Sequence, residues 1–168
     1  MQGGIYFYIL SMINTLFWNI RGIGKKVAVS RLKLLKKNHQ LQLISICEPK
    51  LHASKITNIQ LKLGYDQAFQ NQSNRIWIFF DNHLKGKIIH ESEQHISVQL
   101  SHPYFKSDIL AVFIHAYCSI EARKTLWDSL ASFNCTNMPC IFYGDFNVIL
   151  SEDEKKGGLP FQAHDALD

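Results

Sequence analysis

The sequence predicts an α/β fold, a sandwich with a mixed-sheet core. Three observations carry that prediction. Strand-length apolar runs alternate with amphipathic helical stretches over the first 62 residues, a block of short strands follows, and a helix and one more buried strand close the pattern. At 168 residues the chain is long enough for one domain with a real core, and no internal repeat, heptad or low-complexity tract suggests otherwise.

The elements follow in order. "INTLFWNI" (13–20) is apolar enough for a buried strand, and "RGIGKK" after it is a Gly-containing loop. In "KKVAVSRLKLLKK" (25–37), Ala28, Leu32 and Leu35 share one helical face while Lys and Arg cover much of the other. "LQLISIC" (41–47) is a second buried strand, and Pro49 makes its continuation unfavourable. A short helix is expected over 52–62. The segments "YDQAFQ", "RIWIFF", "GKIIHE", "HISVQL" and "ILAVFIHA" are strands separated by polar or turn-forming stretches. The clearest helix is 119–133: Ser119 can cap it, Glu121 suits its positive end, and Ile120, Arg123, Leu126, Trp127, Leu130 and Phe133 trace a largely apolar stripe. "MPCIFYG" (138–144) is then a buried strand.

Composition narrows the class. Hydrophobic residues at 46% and charged residues at 19% exclude a disordered chain and a membrane bundle. "GIYFYILSMINTLFW" is apolar, but Ser11 and Asn14 interrupt it and no basic region precedes it, so neither a signal peptide nor an anchor is expected. Residues 1–11 are set apart as an N-terminal extension, with the domain over 12–168. Cys47, Cys118, Cys135 and Cys140 show no CxxC pair, which favours buried reduced thiols in an intracellular protein. The eight histidines lack HExxH spacing.

The net charge of +4 is unevenly placed. Residues 1–47 carry seven Lys or Arg and no acid, while residues 48–168 carry eleven bases against fourteen acids. Such a basic helix face is commonly just solvated; it also attracts polyanions such as nucleic acid.

Three buried strands end in oxygen-bearing side chains: Asn19 after "TLFW", Glu48 after "LISIC", and Asp145 with Asn147 after "CIFYG". Carboxylates and carboxamides suit Mg²⁺ and an attacking water. Taken singly each has a plain structural explanation, Asn19 and Asp145 in turns and Glu48 as a surface acid before Pro49.

Together, "FWNIRGIG", "ISICEPKL", "NRIWIFF", "FIHAYCSIEARKTLW" and "FYGDFNVIL" resemble the endonuclease/exonuclease/phosphatase family. The likeness is strongest to the apurinic-type endonuclease domain of LINE-type retrotransposons, and it runs from about Met12 to Gly158. The resemblance implies a four-layer, DNase I-like α/β sandwich and Mg²⁺- or Mn²⁺-dependent hydrolysis of a phosphodiester in nucleic acid, with DNA the expected partner and an intracellular, nuclear location. It implies that Glu48 binds metal, that Asn19 helps organise the metal and phosphate site, that Asp145 positions or deprotonates the attacking water, and that Asn147 supports the scissile phosphate.

Two departures accompany it. His115 stands where such domains commonly present a tyrosine, with Tyr117 two residues later; His115 is able to donate to phosphate, though a lone strand histidine is more often structural. The family's closing "SDH"-like segment does not appear, and His164 follows "GDFN" too closely to replace it. The expectation is therefore a C-terminally incomplete domain with impaired catalysis. A non-catalytic nucleic-acid-binding remnant and a phosphatase of the same fold are the alternatives.

Overall fold

The computed structural model describes residues 5–10, 13–133 and 138–148. Its elements are β1 (Ile5–Leu10), β2 (Ile13–Asn19), α1 (Lys26–His39), β3 (Leu43–Cys47), α2 (Ile56–Leu63), entered through a 3₁₀ turn at Ala53–Lys55, β4 (Gln67–Gln70), β5 (Ile76–Phe80), β6 (Lys85–Glu91), β7 (His95–Ser101), β8 (Ile109–His115), α3 (Ile120–Ala131) and β9 (Cys140–Asp145). Every element expected between Ile13 and Asp145 is present, with ends shifted by a few residues. The stretch set apart as an extension contains β1, which runs antiparallel to β2 with Leu10 opposite Ile13.

Two mixed sheets result, ordered β1-β2-β3-β5-β4 and β6-β7-β8-β9. Each contains one parallel pair, β2 with β3 and β8 with β9, each joined through a crossover helix, α1 or α3. The sheets meet face to face. Phe17, Leu43, Ile76, Ile78 and Phe80 from the first pack with Ile96, Val98, Ala111, Phe113 and Tyr143 from the second, all of them buried.

Strand alternation sends the intervening side chains outward to the helices. Leu16, Ile44, Ile46, Trp77 and Phe79 meet Leu32 of α1 and Ile59 and Leu63 of α2, while Val112 and Ile114 meet Leu126 of α3. The order helix, sheet, sheet, helix is a four-layer sandwich. β3 and β5 are buried at every position because both of their faces are covered, so they show an unbroken apolar run. Leu32 is the fully buried anchor of α1, and truncating such a side chain typically costs about 2–5 kcal/mol.

The cysteine reading needs correction. Cys47 is a buried free thiol, Cys118 is free but exposed, and Cys140 is disulfide-bonded. Pairing depends on how the fold places Cα atoms, which spacing along the chain does not reveal. No helix among the described residues is long and apolar enough to cross a membrane. His164 lies outside the described residues.

Candidate active site

The parallel pairs end side by side in the two sheets. Asn19, last residue of β2, is opposite Cys47, one residue before Glu48; in the other sheet His115, last of β8, is opposite Asp145, last of β9. "YGD" is therefore strand and not turn. Gly144 permits this register, because a Cβ there would lie 2.6 Å from the Cβ of Ile114. β9 can approach β8 only without a side chain at that position, and the approach carries Asp145 to His115.

All five expected residues converge at this rim. The Asn19 amide Nδ2 donates to Glu48 Oε1 at 3.1 Å and to Asp145 Oδ2 at 3.0 Å, joining the two carboxylates across the sheets. His115 Nε2 lies 3.5 Å from Glu48 Oε1. The backbone N–H of Asn147 donates to Asp145 Oδ1 at 3.2 Å. The Asn147 side chain turns to the wall of the site, where its Nδ2 donates to the Ala116 carbonyl at 2.6 Å.

Sequence reasoning missed the cations around these groups. Arg21, Lys50 and Arg75 line the same cleft, of about 750 Å³, in which Glu48 is the single lining acid among the described residues. Lys50 Nζ sits 3.2 Å from Glu48 Oε2, and the Arg75 guanidinium lies over the Tyr117 ring at 4.9 Å. Asn71 fixes the Arg75 backbone by accepting from the N–H groups of Arg75 and Ile76 through Oδ1. Arg123, buried in α3, donates from Nη1 to the carbonyls of Tyr117, Cys118 and Asn147, so the helix clamps both loops of one wall. The sequence signal was Arg123's place in an otherwise apolar stripe.

Backbone strain is concentrated here. Among the described residues six other than glycine have positive φ, and five of them, Arg21, Glu48, Lys50, Asn74 and Asn147, line this cleft. Each left-handed residue costs of order 1 kcal/mol, and such costs gather where a chain must aim side chains at a site.

Electrostatics set the charge states. Burial works to raise the Glu48 pKa, but donation from Asn19 and Lys50 and the facing His115 outweigh it, holding the carboxyl below its ordinary value. Burial lowers the His115 pKa, and the opposing pull of Glu48 and Asp145 only partly restores it. A neutral His115 whose Nε2–H faces Glu48 keeps a bare Nδ1, which is buried and has no partner among the described residues.

The oxygen donors at the rim suit a divalent cation. Asn19 Oδ1 is likewise buried and unpartnered, and it belongs to the residue that contacts both carboxylates. Glu48 and Asn19 thus supply two hard oxygens, suiting Mg²⁺, which usually takes one or two protein carboxylates and completes its shell with water and phosphate oxygen. No group of three His, Cys, Asp or Glu residues able to hold a metal occurs among the described residues. The residues fit a partly hydrated ion and not an all-protein cage.

At the level of sequence, neither a protein-family model nor a curated protein matches the chain. Its structure does resemble solved ones. The endonuclease domain of TRAS1, a telomere-specific non-LTR retrotransposon, superposes with a TM-score of 0.57 at 19% identity, over 80% of this chain and 59% of that one. The chain has the DNase I-like fold. Other DNase I-like neighbours are an endonuclease/exonuclease/phosphatase family protein from Bacteroides thetaiotaomicron (TM-score 0.55, 13% identity, 91% of this chain and 67% of that one) and the same organism's mannosyl-6-phosphatase (0.55, 14%, 81% and 66%). The chain thus spans 59% of the TRAS1 domain's length.

Proposed function

We propose that the chain carries the metal-side half of a phosphodiester hydrolase site acting on nucleic acid, DNA in the first instance. One observation carries this reading: the Asn19 amide holds together Glu48 and Asp145, which come from different sheets, at the edge of a cleft that Glu48 lines with Arg21, Lys50 and Arg75. Two carboxylates held together by a buried amide are costly to build for stability alone. The neighbours with nuclease and phosphatase names support a phosphoester substrate.

In this reading Glu48 and Asn19 hold Mg²⁺ or Mn²⁺, which when bound stabilises charge developing on the phosphate oxygens. Arg21 and Arg75 contact the non-bridging oxygens and hold the phosphate over the rim. Asp145, fixed at Oδ2 by Asn19 and at Oδ1 by Asn147, accepts a proton from the attacking water. The water oxygen forms the new P–O bond, the bond to the leaving oxygen breaks, and that oxygen takes a proton from solvent. His115 braces Glu48 through Nε2. Asn147, whose amide is committed to Ala116, holds the wall and Asp145, while its backbone fixes the turn toward the phosphate.

The test is nicking of supercoiled plasmid in Mg²⁺ or Mn²⁺ by the chain beside its Asp145→Ala variant. Nicking by the chain, lowered by about 10²–10³ or more in the variant, is expected. A rate that Asp145→Ala leaves unchanged overturns the site, and preferential release of phosphate from a sugar phosphate in place of nicking moves the substrate to a small phosphoester.

A further inference from the structure

The cleft does not end at the strand tips. Leu51 lines it and also lines a second hollow of about 750 Å³ between α1 and α2, beside Lys26, Lys55 and Lys62. Lys62 in turn lines a third hollow, of about 450 Å³, with Lys33 and Lys37. Among the described residues no acid lines either of the two outer hollows. These five lysines are exposed, and none makes an ion pair among the described residues. By contrast Lys36, on the same helix, is held by Asp81 at 3.0 Å and lies over the Tyr65 ring.

We propose that this chain of hollows is a second binding surface, a track along α1 and α2 that holds the sugar-phosphate backbone of a nucleic-acid strand leaving the cleft. The proposal rests on the hydrolase reading for the strand's other end, but its own support is separate. A lysine face that was merely solvated would need neither a groove nor a junction with the site. The track is concave with apolar side chains in its floor, which fits a strand presenting phosphates and sugars alternately and does not fit a flat anionic membrane. α1 has 14 residues and is about 20 Å long, enough for roughly six nucleotides at 3.4 Å each. Phosphate contacts of this kind position a backbone without reading its sequence. The track therefore predicts length preference, strong salt dependence and no sequence preference.

The test is equilibrium binding of fluorescein-labelled oligothymidylates, a 4-mer and a 12-mer, in EDTA so that nothing is cleaved. The variants are a Lys33→Gln/Lys37→Gln/Lys62→Gln triple and a charge-matched control, Lys87→Gln/Lys106→Gln/Lys124→Gln, whose residues are exposed and lie outside all three hollows. All six positions are solvent-facing, so both variants should fold, which circular dichroism checks. The track variant should lower the salt slope for the 12-mer by about 2, close to 0.7 per lost single-strand phosphate contact, and leave the 4-mer unchanged. The control should change neither. Equal losses in the two triples, or equal losses for the 4-mer and the 12-mer, overturn the track in favour of general charge attraction. Phosphatidylserine vesicles bound as tightly as the 12-mer, with the same dependence on the three lysines, overturn the choice of nucleic acid. The two readings fail separately: track-dependent binding without plasmid nicking removes the hydrolase and keeps the track, while nicking with 12-mer binding indifferent to the lysines does the reverse.

Discussion

His115 and His95 are both buried histidines of the second sheet, and burial is the largest cause of a lowered pKa in each, yet they sit in opposite kinds of surroundings. His95 is closed in by its own hairpin. Its Nδ1 is 2.7 Å from Ser92 Oγ, its Nε2 is 3.0 Å from His90 Nδ1, and Phe133 stands edge-on at 5.7 Å. Both nitrogens are satisfied, and the backbone N–H groups of Gln94 and His95 donate to the same Ser92 hydroxyl. His115 has one nitrogen on a carboxylate and the other without a partner among the described residues, with Asp145 beside it in register. A satisfied buried histidine stabilises a turn, whereas an unsatisfied one between two acids is retained at a cost that packing alone does not explain.

The sharpest way to break this contrast is at the metal. Glu48→Gln keeps the shape of the side chain but replaces a hard anionic ligand with a neutral amide. Affinity for Mn²⁺, followed by calorimetry, should fall by at least the roughly 10–100-fold seen when supporting partners of metal ligands are removed. His95→Gln should leave it unchanged. Equal affinity in wild type and Glu48→Gln would take Glu48 out of the ligand set.

The reverse contrast is in stability against pH. The His95 pKa is lowered from 6.5 to about 4, by burial first and by His90 second. Between those values the unfolded chain binds the proton and the folded chain does not. This contribution is therefore complete above pH 6.5 and is lost as pH falls toward about 4. Urea midpoints should drop across that window, and His95→Gln should flatten the drop. A slope unaltered in His95→Gln would mean that some other group sets it.

Much of the architecture was legible because burial writes itself into strands. β3 and β5, covered on both faces, could only be apolar runs, and α3 announced itself through Ser119 and a 3.6-residue stripe. β1 escaped because an apolar segment ahead of Met12 has no turn signal separating it from β2. At the site, Asn19, Glu48 and Asp145 were legible because a polar residue closing a buried strand is unusual. Arg75 and Lys50 were not, since an exposed cation in a loop has no pattern until the fold curls that loop over a cleft. Nor does chain spacing reveal that His115 Nε2 faces Glu48 and not the open cleft.

The smallest effect distinguishes strain that serves the cleft from strain that merely ends a helix. Gln40 and Lys50 are both left-handed, with φ of 48° and 51°. Gln40 closes α1, where its N–H bonds the Lys36 carbonyl, before the start of β3, whereas the rim lies past the end of that strand; Lys50 lies in the cleft with its ammonium on Glu48. Glycine relieves roughly 1–2 kcal/mol of left-handed strain and returns about 0.5–1 kcal/mol through its freer unfolded chain. Gln40→Gly should therefore gain at most about 1.5 kcal/mol in urea denaturation, with 4-mer binding and nicking unaltered. Lys50→Gly should gain less, because it also loses an exposed ion pair worth about 0–1 kcal/mol. It should bind the 4-mer more weakly, having removed a cation from the cleft that receives phosphate. If Lys50→Gly instead binds the 4-mer as wild type does, the left-handed turn at Lys50 is a feature of how β3 ends and contributes nothing to the site.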